Sequence, residues 1–449
     1  MRLHLSRLFK SKKTALTLLL LLFFSVVLLS IIPQQFSTTP AKLATWQQAH
    51  QPWLPTIEAL GLHHLLTTPW FAVILFLFLV TLAIATQTQF RISYQKTFAP
   101  TVVPDATNPV GKKSVAASEL SLPEEALTQI LKKNGYLNLG GNQGKMRRYL
   151  KHPWGHWGIF FLHLGIFISI TASLIFAVGA KRGAIRLIEG ETHLPTAPWL
   201  YEERGLLAGP FFLPEAVRLD KIIAEFWEQG GVKKIRSGIR FISPQGQVTT
   251  ASIATTPITT YRGMRVYQES SFGNAFYVWL TGSAGNSHGV VLDIASPVTP
   301  GKASYGNFTF PEIPYTIKAK YYADAEKKSL VSDNPLLFLR LVEQNKVIGE
   351  LSLTKGESGS LGPYQAKFVR VAQWTNFTFM TTPGITGVFC GFFIFSLGGL
   401  LYYFTIPREL YCQKTDDGFR LLWKCSRFRQ HYQEECQSII KSLKKMETV

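Results

Sequence analysis

Cysteine and the short catalytic motifs are what this chain of 449 residues lacks most clearly. Its four cysteines are Cys390, Cys412, Cys425 and Cys436, and no two of them form a C-x-x-C pair. A disulfide framework, a paired-thiol redox motif and the C-x-x-C-H motif of c-type cytochromes are therefore excluded. The chain also lacks H-E-x-x-H, a P-loop and G-x-S-x-G, so we predict no catalytic constellation of its own.

Charge is also scarce, and acidic charge is scarcer than basic. Charged residues make up 17% of the chain, and 28 acidic residues face 47 Lys and Arg, which gives a formal net charge of +19. Such an excess suits nucleic acid, an anionic membrane surface or the cytoplasmic loops of a membrane protein. The long apolar runs favour a membrane protein among these three classes, and we expect no nucleic-acid partner.

Four apolar segments predict transmembrane helices at residues 14–32, 70–87, 157–180 and 385–404. About 20 apolar residues are needed to cross the ~30 Å hydrocarbon core. A wholly soluble protein is excluded, and the long mixed segment 181–382 excludes a purely transmembrane one. The first segment is longer than the apolar region of a signal peptide and no A-x-A site follows, which favours a retained anchor over a cleaved signal.

The charges of the connecting segments alternate along the chain. Residues 1–13 hold five basic residues and no acid, residues 33–69 are balanced, and residues 88–156 hold ten basic and four acidic residues. The positive-inside rule then predicts that the N-terminus, the loop 88–156 and the tail 405–449 are cytoplasmic. The loop 33–69 and the domain 181–382 are expected outside. The absence of an organelle transit peptide favours a bacterial cytoplasmic membrane.

The segment 181–382 reads as a mainly-β domain, an antiparallel sandwich or open barrel of about eight strands. One amphipathic helix or irregular stretch is predicted at Pro214–Gln229. A further helix is predicted in the loop 88–156, with Ser121 and Glu124 as its capping box and Asn134–Gly135 as its end. The predicted strands are Ser237–Ile242, Val248–Ile253, Met264–Gln268, Ala275–Thr281, Gly289–Ile294, Tyr315–Tyr321, Leu336–Val342 and Gln365–Val371.

His163 is the candidate for chemistry, because it lies about six residues, or ~9 Å, inside the third apolar segment. An ionisable residue at that depth is costly, and a neutral imidazole is a good axial ligand for haem iron. Equally, His163 could hydrogen-bond a neighbouring helix and bind nothing, and the residues alone leave both readings open. The side chains that would wall or admit a flat porphyrin are Trp157, Phe160, Phe161, Gly158 and Gly165.

Other polar residues flank the apolar segments. The basic cluster Arg147, Arg148 and Lys151 precedes the third segment and either binds phosphates or only sets the topology. His63 and His64 precede the second segment, where they supply interface polarity or touch an outer cofactor. His152 and His156 are expected at the level of the headgroups.

Several short motifs follow one another in a defined order along nearly the whole chain. They are Ser30-Ile-Ile-Pro33, Pro69-Trp-Phe71, Trp154-Gly-His-Trp-Gly158 with His163-Leu-Gly165, Tyr267-Gln-Glu-Ser-Ser-Phe-Gly273 and Thr382-Pro-Gly384. In this order and spacing the chain resembles the ResB (CcsB) family of cytochrome c biogenesis proteins of System II. The family's architecture is three spans, a large extracytoplasmic domain and a fourth span. The pair of histidines before the second segment departs from the family pattern.

The resemblance implies a function that the residues alone do not show. Such a protein would pair with a polytopic ResC (CcsA) protein, carry haem b across the membrane and present it to the C-x-x-C-H motif of apocytochrome c. His163 would be one axial ligand of the haem iron, and the partner would supply the second. By their charge and location alone, Arg147, Arg148 and Lys151 are candidates for contacting the propionates. The rival interpretation is a membrane-anchored extracytoplasmic scaffold or sensor without haem.

Overall fold

The fold is taken from a computed structural model of the protein. It describes residues 9, 11–35, 38, 40–99, 114–115, 119–121, 123–139, 146–282, 285–344, 346–416 and 418–447. The chain forms two units. We call residues 1–178 and 383–449 the membrane unit, and residues 179–382 the β unit.

Among the described residues, four of the helices are long and apolar enough to cross a membrane, namely α1, α4, α6 and α7. The predicted multi-pass membrane protein is thereby confirmed. Helix α4 has 30 residues and continues past Arg91 and Lys96, well beyond the predicted span 70–87. The apolar run marks the part that fits a bilayer, whereas polar residues such as Gln and Arg let the helix continue. In chain order the helices are α1 (Lys12–Ile31), α2 (Pro40–Ala49), α3 (Leu54–Ala59), α4 (Pro69–Phe98), α5 (Glu124–Lys133), α6 (Gly158–Gly179), α7 (Ile385–Phe404) and α8 (Arg429–Glu447).

The strands are short except for two, β11 and β18, which have 19 and 18 residues. In chain order they are β1 (Ser114–Val115), β2 (Glu119–Leu120), β3 (Met146–Lys151), β4 (Lys181–Ile188), β5 (Thr192–His193), β6 (Tyr201–Arg204), β7 (Ala216–Phe226), β8 (Val232–Ile242), β9 (Val248–Ala254), β10 (Thr259–Tyr261), β11 (Met264–Gly282), β12 (Ser287–Ala295), β13 (Ser304–Phe310), β14 (Ile313–Tyr322), β15 (Leu336–Glu343), β16 (Lys346–Leu353), β17 (Ser358–Leu361), β18 (Tyr364–Thr381), β19 (Arg408–Thr415) and β20 (Gly418–Cys425).

The described residues between 114 and 151 and between 406 and 447 of the membrane unit join into one small domain, which we call the split module. Its sheet has the order β1-β20-β19-β3, with β2 also on β20, and β3 pairs with β19 from Lys151 opposite Arg408 onward. Helices α5 and α8 supply Leu131 and Leu443 to its core. The predicted end of α5 at Asn134–Gly135 is confirmed, but the helix begins at Glu124 with Pro123 as N-cap, so the predicted Ser121 cap is wrong.

The β unit is a sandwich built along one continuous sheet, with the order β10-β11-β18-β4-β6 and with β12 and β17 on its flanks. The sheet β13-β14-β15-β16 packs over one half of the long strands, where Phe276 and Phe368 enter a common core with Leu339. The sheet β5-β7-β8-β9 packs over the other half, around Phe377 and Leu219. The predicted mainly-β domain is confirmed, and every predicted strand lies within an observed one.

The prediction of a helix or irregular stretch at Pro214–Gln229 is wrong, because this segment is strand β7, paired with β8. Val217, Leu219 and Ile222 are its buried apolar residues. The register shifts between Leu219 and Lys221, so a β-bulge puts Leu219 and Ile222 on the same face although they are three residues apart. A spacing of three is typical of a helix, which explains the error.

Candidate functional site

His163 lies on the first turns of α6, and its imidazole is half-buried. Its Nδ1 is 2.9 Å from the carbonyl oxygen of Ile159, one turn earlier in the same helix. Since a carbonyl oxygen only accepts, Nδ1 carries a proton, and in the neutral imidazole the lone pair is then on Nε2. Within the described part of the chain, His163 makes no hydrogen bond to a neighbouring helix. A backbone-anchored Nδ1 with a free Nε2 is the arrangement of a metal-ligating histidine.

An aromatic cluster lies beside this first turn. The ring centroids of Trp157 and Phe160 are 5.7 Å apart, and Phe90 of α4 lies 5.6 Å from Trp157 and 5.4 Å from Phe160. The indole nitrogen Nε1 of Trp157 is buried, and no described group hydrogen-bonds to it. The structure thus brings the predicted Trp157 and Phe160 together. The sequence analysis did not predict Phe90. Phe90, Tyr94 and Phe98 are spaced by four residues, which places their rings along one helix face and could have indicated the cluster.

The face of α6 with the small residues is filled by α7. A Cβ atom at Gly158 would lie 2.6 Å from the backbone nitrogen of Tyr402, and one at Gly165 would lie 2.6 Å from the carbonyl oxygen of Gly391. The expectation that Gly158 and Gly165 admit a flat porphyrin is therefore wrong, because their seven-residue spacing serves close helix packing. His163 is five residues from Gly158, so it points about 140° away from this contact.

The predicted basic residues are mostly engaged within the protein. Arg148 is 1% exposed and donates to the carbonyl oxygens of Lys96 and Thr97, so it caps the C-terminus of α4. Lys151 Nζ lies 2.8 Å from a Glu435 carboxylate oxygen, and Arg147 pairs with Glu124. Of the three side chains, Arg147 is the most exposed, at 46%.

The His156 side chain is buried, with 8% of its surface exposed, and its level relative to the headgroups stays a prediction. Burial lowers the pKa of its imidazole to about 4, against the opposing effect of the Glu409 carboxylate, whose Oε1 lies 3.6 Å from Nε2. Ser93 of α4 donates a hydrogen bond to the His156 carbonyl oxygen at 2.7 Å. The start of α6 is thereby fixed to α4 and to the split module.

The sequence profile of the ResB-like family matches residues 12–346, which is more than half of the chain. The chain belongs to the ResB-like family. This family is associated with cytochrome c biogenesis. The match includes α1, α4, α6 and much of the β unit. No curated protein sequence matches the chain.

A second candidate site of this ResB-like protein lies before α4. His63 is 6% exposed, its Nδ1 donates to the carbonyl oxygen of Pro33 at 3.0 Å, and no described group bonds to its buried Nε2. Trp46 packs edge-to-face on the His63 ring at 5.6 Å. His63, His64 and Glu58 line a pocket of about 250 Å³. Among the described residues, however, no three His, Cys, Asp or Glu side chains cluster as a metal site.

Proposed function

We propose that this ResB-like protein is a haem-handling subunit of a System II cytochrome c synthetase complex in a bacterial cytoplasmic membrane. With a ResC/CcsA-type partner, it carries haem b across the membrane and presents it for covalent attachment to apocytochrome c. The family's association with cytochrome c biogenesis and the four apolar helices support this proposal. Haem is the cargo here, and the complex rather than this chain supplies the attachment chemistry.

The proposed orientation places both termini in the cytoplasm and the β unit outside. The excess of basic residues in segments 1–13 and 88–156 supports it. Haem then meets His163 near the cytoplasmic end of α6, and the β unit faces the compartment where cytochromes c mature. Reporter fusions after His50, Lys132, Gly285 and Lys441 should indicate outside, inside, outside and inside. An inside signal at Gly285 would contradict the orientation and the function with it.

The observation that carries the proposal is that no described group hydrogen-bonds to Nε2 of His163. An imidazole in an apolar helix costs free energy unless both of its nitrogen atoms find partners. The Ile159 carbonyl oxygen satisfies Nδ1, so an iron atom is a suitable partner for Nε2. The apolar rings of Trp157 and Phe160 suit the face of a porphyrin, and the exposed Arg147 suits a propionate. Arg148 and Lys151 would have to leave their present partners to contribute.

The test is the haem content of the complex purified with its partner. We expect His163→Ala to lose most of the Soret absorbance at wild-type protein level and to stop cytochrome c maturation. His288→Ala is the matched control, because His288 lies on β12 of the β unit and should leave both readouts unchanged. A His163→Ala complex with full haem content would refute the ligand role. A wild-type complex without haem would favour the scaffold or sensor instead.

A further inference from the structure

One loop of the β unit exposes large apolar side chains. Between β6 and β7 the chain reads Gly-Leu-Leu-Ala-Gly-Pro-Phe-Phe over residues 205–212. Leu207 is 78% exposed, Phe212 60% and Leu206 47%. Three large apolar side chains exposed within one eight-residue loop make the loop a candidate interaction surface. We call residues 205–212 the apolar loop.

The apolar loop is held at its beginning by the strand that follows α6. The backbone N–H of Gly205 donates to the carbonyl oxygen of Ala180 at 2.7 Å, and that of Ala208 donates to Gly205 at 3.0 Å. Lys181 Nζ donates to the carbonyl oxygen of Pro210 at 3.2 Å. These bonds form a tight turn whose tip carries Leu206 and Leu207.

The end of the apolar loop is anchored as well. The backbone N–H of Phe211 donates to Glu202 Oε1 at 3.2 Å, and the indole of Trp199 donates to the carbonyl oxygen of Phe211 at 2.7 Å. The rings of Trp199 and Phe211 stack with centroids 4.8 Å apart. Phe211 is buried by this contact, whereas its neighbour Phe212 is left outside. The loop is thus a built feature that presents apolar side chains outward.

Covalent connection places the start of the loop next to the end of helix α6. Helix α6 has 22 residues, so it is about 33 Å long and spans the ~30 Å hydrocarbon core. Helix α6 ends at Gly179, and the next residue, Ala180, accepts the hydrogen bond from Gly205. Strand β6 runs antiparallel to β4 with Arg204 opposite Lys181, so it delivers the loop at the end of β4 that is joined to α6. Leu207 follows Gly205 by two residues, or at most ~7 Å.

We propose that the apolar loop inserts Leu206, Leu207 and Phe212 into the interface between lipid headgroups and acyl chains. Lys181 and Arg204 lie at the same end of the sheet and suit lipid phosphates. The occupant is lipid rather than a protein, because the span end that fixes the loop's height is itself at the bilayer boundary. This inference depends on α6 crossing the membrane and not on the haem function.

The test is a fluorescent label on the full chain in vesicles of phosphatidylcholine and phosphatidylglycerol. In a Cys390→Ser background, an environment-sensitive dye is attached to Leu207→Cys, and to Phe212→Cys as a second position. Val347→Cys is the matched control, because Val347 is an exposed apolar residue on β16, in the sheet β13-β14-β15-β16. We expect lipids with a nitroxide near the headgroup to remove most of the emission at 207 and 212, with little effect of aqueous iodide.

At position 347 we expect the reverse, strong quenching by iodide and little by nitroxide lipid. Iodide-accessible and nitroxide-insensitive labels at both 207 and 212 would overturn the proposal. Protection of these labels only after a partner protein is added would also overturn it, since the loop would then be a protein-docking surface.

Discussion

Two adjacent glycines of α7 give a matched test of how α6 is held. A Cβ at Gly398 would lie 2.5 Å from the backbone nitrogen of Leu162, whereas a Cβ at Gly399 would meet nothing within 4 Å. Carbon–nitrogen contacts this short cannot persist, so Gly398→Ala must push the helices apart by roughly 1 Å. Overpacking of this kind costs about 1–3 kcal/mol. Gly399→Ala should instead gain about 1 kcal/mol of helix propensity.

The assay is thermal unfolding of the purified chain in detergent, followed by α-helical circular dichroism. We expect Gly398→Ala to lower the midpoint and Gly399→Ala to leave it unchanged or raise it. Haem loading should fall in the first variant as well, because Leu162 is the neighbour of His163 along α6. Equal midpoints for the two variants would refute the close α6–α7 contact and with it the assignment of the glycine face to packing.

The remaining predictions concern the start of α6, the split module and the cysteines. The pKa of His156 is 6.5 in the unfolded chain and about 4 in the folded chain. The free energy of unfolding should therefore fall by about 3 kcal/mol as the pH falls between these two values. Proteolysis measured over this pH range should show the loss, and His156→Gln should flatten the profile. Burial raises the pKa of Cys436 to about 11, so mass spectrometry should find that this thiol is alkylated slowly at pH 8. Replacing all four cysteines should leave cytochrome c maturation intact. Arg148→Ala should lower the free energy of unfolding by about 3 kcal/mol, whereas Arg147→Ala, at an exposed neighbouring position, should lower it by less than about 1 kcal/mol. Similar unfolding midpoints for the two variants would contradict the capping role of Arg148.

The sequence predicts best where one physical requirement dominates a segment. The need for about 20 apolar residues reveals the four membrane helices, and alternation reveals strands such as Ala275–Thr281. It fails where a local irregularity changes the period, as the bulge after Leu219 does in β7. It is silent on pairing between distant segments, which is why the split module, with Lys151 opposite Arg408, was not predicted.

The candidate site divides in the same way. His163 could be singled out because one ionisable group in an apolar span has few explanations. Its tautomer could not, since the Ile159 carbonyl oxygen becomes its partner only once the helix forms. The sequence shows that Gly165 is small, but it does not show whether a ligand or another helix packs against it. The structure places α7 there. Arg148 looked like a free cation, although it is buried as the cap of α4.

Chemical rescue of His163→Gly tests the central claim most directly. The complex with its partner is produced with and without imidazole in the growth medium, and haem absorbance and cytochrome c maturation are measured together with protein level. If Nε2 of His163 is an axial ligand, imidazole should occupy the vacated position and restore part of both signals. If the side chain has only a structural role, imidazole should change neither, and that result at normal protein level would contradict the account.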